Sequence, residues 1–344
     1  MSKIEHIGVI RLSAMGDVAM TVPVLRAFSL RYPETKITVV SRPFFKPFFE
    51  GIPNVHFFAV DLKERHKGFI GLLRLFSDLR KLGIDAIADL HNVLRSKIVR
   101  NLFVLSGKKA AFTDKGRAGK KALTRAENKI FQPLKPMVER HCETFGKLGF
   151  SIVISQPVFP EKATLSSEII SATGNKNEKW IGIAPFAQYD SKVYPLDLMQ
   201  KVIDGLSQGK FKILLFGGGE KEIQQLNQLK NNHENVMVMA GKLKFQQELD
   251  VISNLDIMLS MDSGNAHIAA MLGVNVITLW GATHPYAGFS PFDQPLENCI
   301  TSDREKYPKL PTSVYGNKKI EGYHDAMRSI LPETIIDTIK KELI

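Results

Sequence analysis

Four short segments carry the side chains with chemistry to offer. Asp17 comes directly after Gly16, behind the strand-like run Ile7–Arg11 and at the mouth of an amphipathic run. A carboxylate there is placed to take a proton from a hydroxyl. The same spacing also fits a helix N-cap, by spacing alone the commoner role, because the field of a helix N-terminus weakens a carboxylate as a base. The second segment is Asp262-Ser263-Gly264-Asn265-Ala266-His267, between a strand and a helix. Free backbone N–H groups and the positive dipole end suit a diphosphate, and the small residues let it come close. His267, one turn on, would face the same ligand. Taken singly, Asp262 and Ser263 read as a cap and His267 as a buried imidazole. Lys192 stands in a loop before Tyr194-Pro195 and would offer a point charge to a leaving diphosphate, although most loop lysines only face water. The fourth is the turn Gly217-Gly218-Gly219 with Glu220 and Glu222 behind it, which lacks the G-x-G-x-x-G order of a dinucleotide site.

Alternating strand-length and helix-length runs must position these residues. The first series has strands at Ile7–Arg11, Ile37–Val40, Val55–Val60, Ala86–Asp89 and Ala110–Thr113, with helical periodicity over Val18–Arg31, Phe69–Leu82, Leu94–Leu105 and Val138–Leu148. A second series runs from Trp180–Ala184 to Val276–Leu279. The pattern predicts an α/β chain of two doubly wound parallel sheets: a first domain over 1–155, a linker over 156–177, a second domain over 178–325, and a closing helical segment over 326–344 that packs back on the first domain. Ligands of open parallel sheets bind beyond the strand ends, so an interdomain active site is the default expectation. The stretch Tyr307–Tyr323 shows no clear period.

Composition narrows the classes. In 344 residues, 24% are charged and 44% hydrophobic, ordinary for a globular protein. No apolar run reaches membrane-spanning length and no signal-peptide core is visible, which predicts a cytoplasmic protein. Cys142 and Cys299 have no partner at ligand spacing, so neither a disulfide framework nor a metal site is expected. Hydrolase elbow, Walker A, H-E-x-x-H and kinase patterns are absent. Net charge is +11, and residues 91–140 hold 13 Lys and Arg against Asp114, Glu127 and Glu139. Such a local excess gathers polyanions, whether nucleic acid, anionic lipid headgroups or a phosphorylated substrate, or it is a solvated helical face. The stretch lacks the interleaved aromatics of a stacking platform, so nucleic acid is not expected.

Together the segments resemble the ADP-heptose:lipopolysaccharide heptosyltransferases, glycosyltransferase family 9. The resemblance is carried by Arg11-Leu12-Ser13-Ala14-Met15-Gly16-Asp17-Val18, Lys192 before Tyr194-Pro195-Leu196, Phe216-Gly217-Gly218, Asp262-Ser263-Gly264-Asn265-Ala266-His267-Ile268-Ala269-Ala270 and Gly281-Ala282-Thr283-His284-Pro285. It departs from the family's commoner pattern at Asn265, Ala266 and Trp280. The resemblance implies a GT-B fold, with the acceptor on the first Rossmann-like domain and the nucleotide sugar on the second. It implies inverting transfer of heptose from an ADP-sugar to a lipopolysaccharide core, with no tightly bound cofactor or metal. Asp17 then matches the general base, Lys192 the lysine near the donor phosphates, Ser263 and Gly264 the helix start that holds them, and Asp262 the acid on the sugar hydroxyls. His267 lies in the same donor motif, and Glu220 or Glu222 matches a ribose contact. The basic stretch suits a membrane-borne phosphorylated glycolipid and an anionic inner-leaflet surface, with Arg95, Lys97, Arg100, Arg117, Lys120 and Lys121 as acceptor-binding candidates. Another nucleotide sugar on the same fold, in a transferase or an epimerase, is the nearest alternative.

Overall fold

The structure is a computed structural model that describes residues 3–318 and 320–343. The outer ends of the expected first and last blocks, residues 1–2 and 344, lie outside the described residues. The chain forms two compact units: residues up to Gly116 with Lys135–Val158, and Arg117–Leu134 with the chain from Phe159 onward.

The first unit carries β1 (His6–Ile10), α1 (Met15–Ala19), α2 (Val22–Arg31), β2 (Lys36–Ser41), β3 (Val55–Ala59), α3 (Gly68–Arg80), β4 (Ala86–Asp89), α4 (Leu94–Leu105) and β5 (Lys109–Phe112). Its sheet is parallel throughout, in the order β3-β2-β1-β4-β5. Every β1 residue is buried, as a central strand covered on both faces requires. One core packs Ile10, Val40 and Ile87 of the sheet against Leu72, Leu75 and Leu79 of α3 and Val99 and Phe103 of α4. The expected single helix over 18–31 is instead two. The first stops at Met20, and Pro23 in the first turn of the second has no N–H to extend the ladder backward.

The excursion between the two parts of the first unit holds α5 (Arg117–Thr124), and α6 (Met137–Gly146) follows it. The expected first domain, 1–155, included this excursion, but residues 117–134 pack on the second unit. Lys120 sits 3.9 Å from the Phe289 ring centroid, and the Leu134 N–H donates to the Tyr286 carbonyl at 2.9 Å. The expected linker, 156–177, contains α7 (Ser167–Thr173), capped by the Ser166 hydroxyl, and joins the second unit from Phe159.

The second unit continues with β6 (Lys179–Ala184), α8 (Leu196–Ser207), β7 (Phe211–Leu215), α9 (Gly219–Lys230), β8 (Val236–Val238), α10 (Phe245–Ser253), β9 (Ile257–Met261), α11 (Gly264–Met271), β10 (Asn275–Trp280), β11 (Cys299–Thr301) and α12 (Pro332–Leu343). Its parallel sheet runs β11-β10-β9-β6-β7-β8. In the closing helix, α12 presents Ile335, Ile339 and Leu343, spaced every four residues, to the second unit's core, which also holds Val202, Ile203 and Leu206 of α8. Gly205 permits that approach: a Cβ there would lie 2.5 Å from Ile336 Cδ1.

Candidate functional site

In both sheets the direction of winding reverses beside the first strand of the unit. The crevice at such a switch point is where open parallel sheets bind ligands. In the first unit it lies beyond the ends of β1 and β4, and in the second beyond β6 and β9.

At the first switch point, β1 runs on into Arg11, whose side chain is buried and anchored by its Nη1 donating to the Leu90 carbonyl at 2.7 Å. Its Nη2 lies 2.5 Å from Asp17 Oδ2. The same oxygen accepts the Ala14 N–H at 3.3 Å, so Asp17 closes the first turn of α1 from its third position. Asp17 is thus not the N-cap that its spacing suggests, a place held by Ala14, but it braces the helix start from the third position and remains 31% exposed. From β4 come residues that the sequence pattern did not single out. Asp89, fully buried, accepts the N–H groups of His91 at 3.1 Å and Asn92 at 2.7 Å and pairs with Arg100 at 3.1 Å. Burial pushes the Asp89 carboxyl above its ordinary value against the pull of those donors. His91 Nδ1 accepts the Leu12 N–H at 3.4 Å. Burial, then the charges of Arg11 and Lys115, drive His91 down to about 3, so its ring is neutral at physiological pH.

At the second switch point, Lys192 in the loop after β6 lies 2.9 Å from Oδ2 of Asp262, which follows β9. That oxygen also accepts the Thr283 hydroxyl at 2.8 Å, and the Asp262 N–H donates to the Leu279 carbonyl at 3.1 Å. Lys192 and Asp262 are 13% and 9% exposed at their side chains. The wall behind Lys192 comes from the stretch that showed no period. A Cβ on Gly316 would lie 2.5 Å from Lys192 Cδ, φ there is +84°, and its carbonyl accepts the Ser191 hydroxyl at 2.6 Å. Ser263 starts α11, its hydroxyl 3.1 Å from that of Ser260. His267, the fourth residue of the same helix, is buried, whereas Gly264 and Asn265 at its start are half-buried. Glu222 folds back so that Oε2 accepts the Gly218 N–H at 2.8 Å, while Glu220 in the same first turn of α9 is exposed.

The second unit thus gathers Lys192, Asp262, Ser263, Gly264 and His267 at one strand-end crevice, with the Gly217–Gly219 turn after the neighbouring strand. The six basic candidates divide. Arg95, Lys97 and Arg100 belong to the first unit, and Arg117, Lys120 and Lys121 to the second. Arg100 is turned inward onto Asp89 and lies 4.4 Å from the Phe112 ring centroid. Lys120 is buried, whereas Arg95, Arg117 and Lys121 are exposed. Among the described residues no group of three or more His, Cys, Asp and Glu is disposed to hold a metal ion. No helix among them is long and apolar enough to cross a membrane.

Comparisons with known proteins agree with this architecture. The family model for glycosyltransferase family 9 (heptosyltransferase) matches residues 72–319. The lipopolysaccharide core heptosyltransferase OpsX of Haemophilus influenzae is 24% identical over 97% of this chain and 95% of its own length. A family 9 glycosyltransferase structure from Veillonella parvula superposes with a TM-score of 0.77 at 20% identity, covering 100% of this chain and 98% of its own. The Escherichia coli heptosyltransferase WaaC with ADP superposes with a TM-score of 0.67 at 18% identity, over 98% and 99%. The two parallel-sheet units are those of the GT-B fold, and with most of its length under the family model, the chain belongs to glycosyltransferase family 9 (heptosyltransferase).

Proposed function

We propose that this glycosyltransferase moves heptose, with inversion, from an ADP-sugar to a lipopolysaccharide core acceptor. One observation carries the reading: a carboxylate, Asp17, and a cation–acid pair, Lys192 and Asp262, each stand at the switch point of their own sheet, in a chain of this family. Departure of ADP leaves an oxocarbenium-like carbon and a diphosphate of growing charge. The N–H groups that open α11 at Ser263 and Gly264, with the Lys192 ammonium, meet that charge where it develops. The diphosphate is a second anion for an ammonium that Asp262 already holds, so Asp262 is freed to accept from the sugar hydroxyls as Lys192 turns to the phosphates. Asp17 takes the proton of the attacking hydroxyl. It need not be a strong base, because the hydroxyl becomes acidic only as its oxygen bonds to the anomeric carbon. In-line displacement then gives inversion. His267 supports the helix start, and Glu220 or Glu222 reaches the ribose from the glycine turn.

The acceptor reading rests on charge. Arg11, Lys115 and Arg42 all act on His91 beside Asp17, a cationic surround suited to a phosphorylated glycolipid. In the same unit a groove of about 380 Å³ is lined by Lys67, Phe69, Leu94 and Arg95 among others. Its rim exposes Phe69 and Leu94 by 64% and 74%, which suits peripheral contact with an anionic inner leaflet from the cytoplasm. Binding of ADP, UDP and GDP to the purified chain, followed by transfer from ADP-heptose to a lipopolysaccharide core acceptor, tests the reading. ADP is expected to bind tightest and the product to carry inverted anomeric stereochemistry. A preference for UDP, or a product of retained configuration, would overturn it.

A further inference from the structure

Beside the Lys192–Asp262 pair, two basic side chains of the second unit, Arg304 and His284, pack on one phenyl ring, and a third, Lys129, lies close enough to act on both. The Arg304 guanidinium lies 3.4 Å from the Phe131 ring centroid, and its Nε donates to the Leu310 carbonyl at 3.1 Å. Lys129 Nζ donates to the next carbonyl, Pro311, at 2.7 Å and to that of Leu123 at 2.9 Å. His284 meets the same ring edge-on, with centroids 4.9 Å apart. Its Nδ1 accepts the Tyr286 N–H at 3.1 Å, which leaves the ring proton on Nε2 as a donor.

These contacts satisfy donors without neutralising charge. Among the described residues neither Lys129 nor Arg304 pairs with a carboxylate, and the charges that act on Lys129 and His284 are all positive. Burial and then Arg304 bring Lys129 down to about 8. Burial, Arg304 and Lys129 hold His284 at about 4. A fold that gathers cations without an acid leaves room for an anion to offset their repulsion. The cluster also sits against the donor side of the unit. His284 follows Thr283, whose hydroxyl is on Asp262, and Leu310–Pro311 lead into Thr312 and Ser313, whose N–H groups donate to the Ala282 carbonyl at 2.9 and 3.2 Å.

We propose that Lys129, Arg304 and the Nε2–H of His284 form a phosphate-binding site, separate from Lys192 and the start of α11. Two cations and a neutral donor match a dianionic phosphate group, whereas a carboxylate would leave one cation uncompensated; the guanidinium fork suits two phosphate oxygens. The group belongs either to the diphosphate of the donor or to a phosphate on the acceptor, sources that rest on the reading above, while the anion site itself does not.

Calorimetric titration of the full chain with inorganic phosphate tests the site. Phosphate is expected to bind, and Arg304→Gln to weaken it tenfold or more while Arg304→Lys recovers part of the loss. Saturating ADP separates the sources: Arg304-dependent phosphate binding that survives ADP assigns the site to the acceptor, and binding displaced by ADP assigns it to the donor. As a check that needs no variant at Arg304, the titration of Lys129, followed by NMR of isotopically methylated lysines and assigned with Lys129→Arg, should move upward when phosphate is added. Parent-like phosphate binding by a folded Arg304→Gln protein, or a Lys129 titration indifferent to phosphate, overturns the proposal. Either result leaves heptosyl transfer by Asp17 and Lys192, assayed separately, untouched.

Discussion

Each unit sets an acid and a base side by side at the turning point of its sheet, yet the two pairs are built differently. Arg11 belongs to the end of a central strand, is 4% exposed and is pinned to the Leu90 carbonyl, while its partner Asp17 stays 31% open. In the second unit both members are enclosed, Asp262 9% and Lys192 13% exposed, but the acid is fixed by Thr283 and the cation reaches it from a loop backed by Gly316. A fixed cation with an open carboxylate suits proton transfer to a group arriving from outside. A fixed carboxylate with a loop-borne cation suits a ligand that must draw the cation away. The contrast fits the proposed function, in which the chemistry falls to the first unit and donor holding to the second.

The largest expected effect breaks the first half of that contrast. Asp17→Asn keeps the shape and a partner for Arg11 but takes no proton, so turnover should fall about 10²–10⁴-fold, the range for loss of general-base catalysis. Steady-state kinetics at saturating donor reads it, and turnover near the parent rate would remove Asp17 from the mechanism. On the other side, Asp262→Asn leaves Lys192 in an enclosed site without its counter-charge. Removing one partner of such a pair costs about 3–5 kcal/mol when fully buried, and the partial exposure here places the loss at or below the lower end of that range. A melting temperature equal to the parent's would show that the pair does not hold the loop.

Acidity sharpens the comparison further. His91 is held neutral in the fold, with its value lowered to about 3 against 6.5 for an ordinary imidazole. The associated stability is complete above pH 6.5 and is lost as the pH falls toward 3, by about 2 kcal/mol at pH 5 for one such group. His91→Gln should therefore flatten the fall in melting temperature between pH 6.5 and 4, and an unchanged slope would contradict the cause given. The smallest effect belongs to Gly316→Ala. A side chain at φ +84° against Lys192 should cost about 1 kcal/mol and weaken donor affinity a few-fold, with turnover at saturation little changed.

Much of this was legible before the fold was known. Asp17, Lys192 and Asp262 all stand between a strand-like run and a helix-like run, and that order alone puts them beyond strand ends in a parallel sheet. The partners that complete the two pairs were less visible. Leu90 and His91 meet Arg11 and Leu12 because β4 lies beside β1, a neighbour relation that no local spacing encodes. Gly316 lies in a stretch with neither period, since it serves by the space it leaves. The excursion 117–134 reads as more of a basic first domain, and only the seating of Lys120, Phe131 and Leu134 on the second unit reveals its allegiance. The closing helix is legible only in part for a related reason: its apolar stripe announces burial but not that the second unit's core receives it.

The division of labour is tested most directly by measuring ADP affinity side by side in Asp17→Asn and Lys192→Met. The account predicts parent-like affinity in the first and a loss of about 10-fold or more in the second, as expected when a charge-assisted contact to phosphate is removed. Equal losses in the two variants, or full affinity in both, would contradict it.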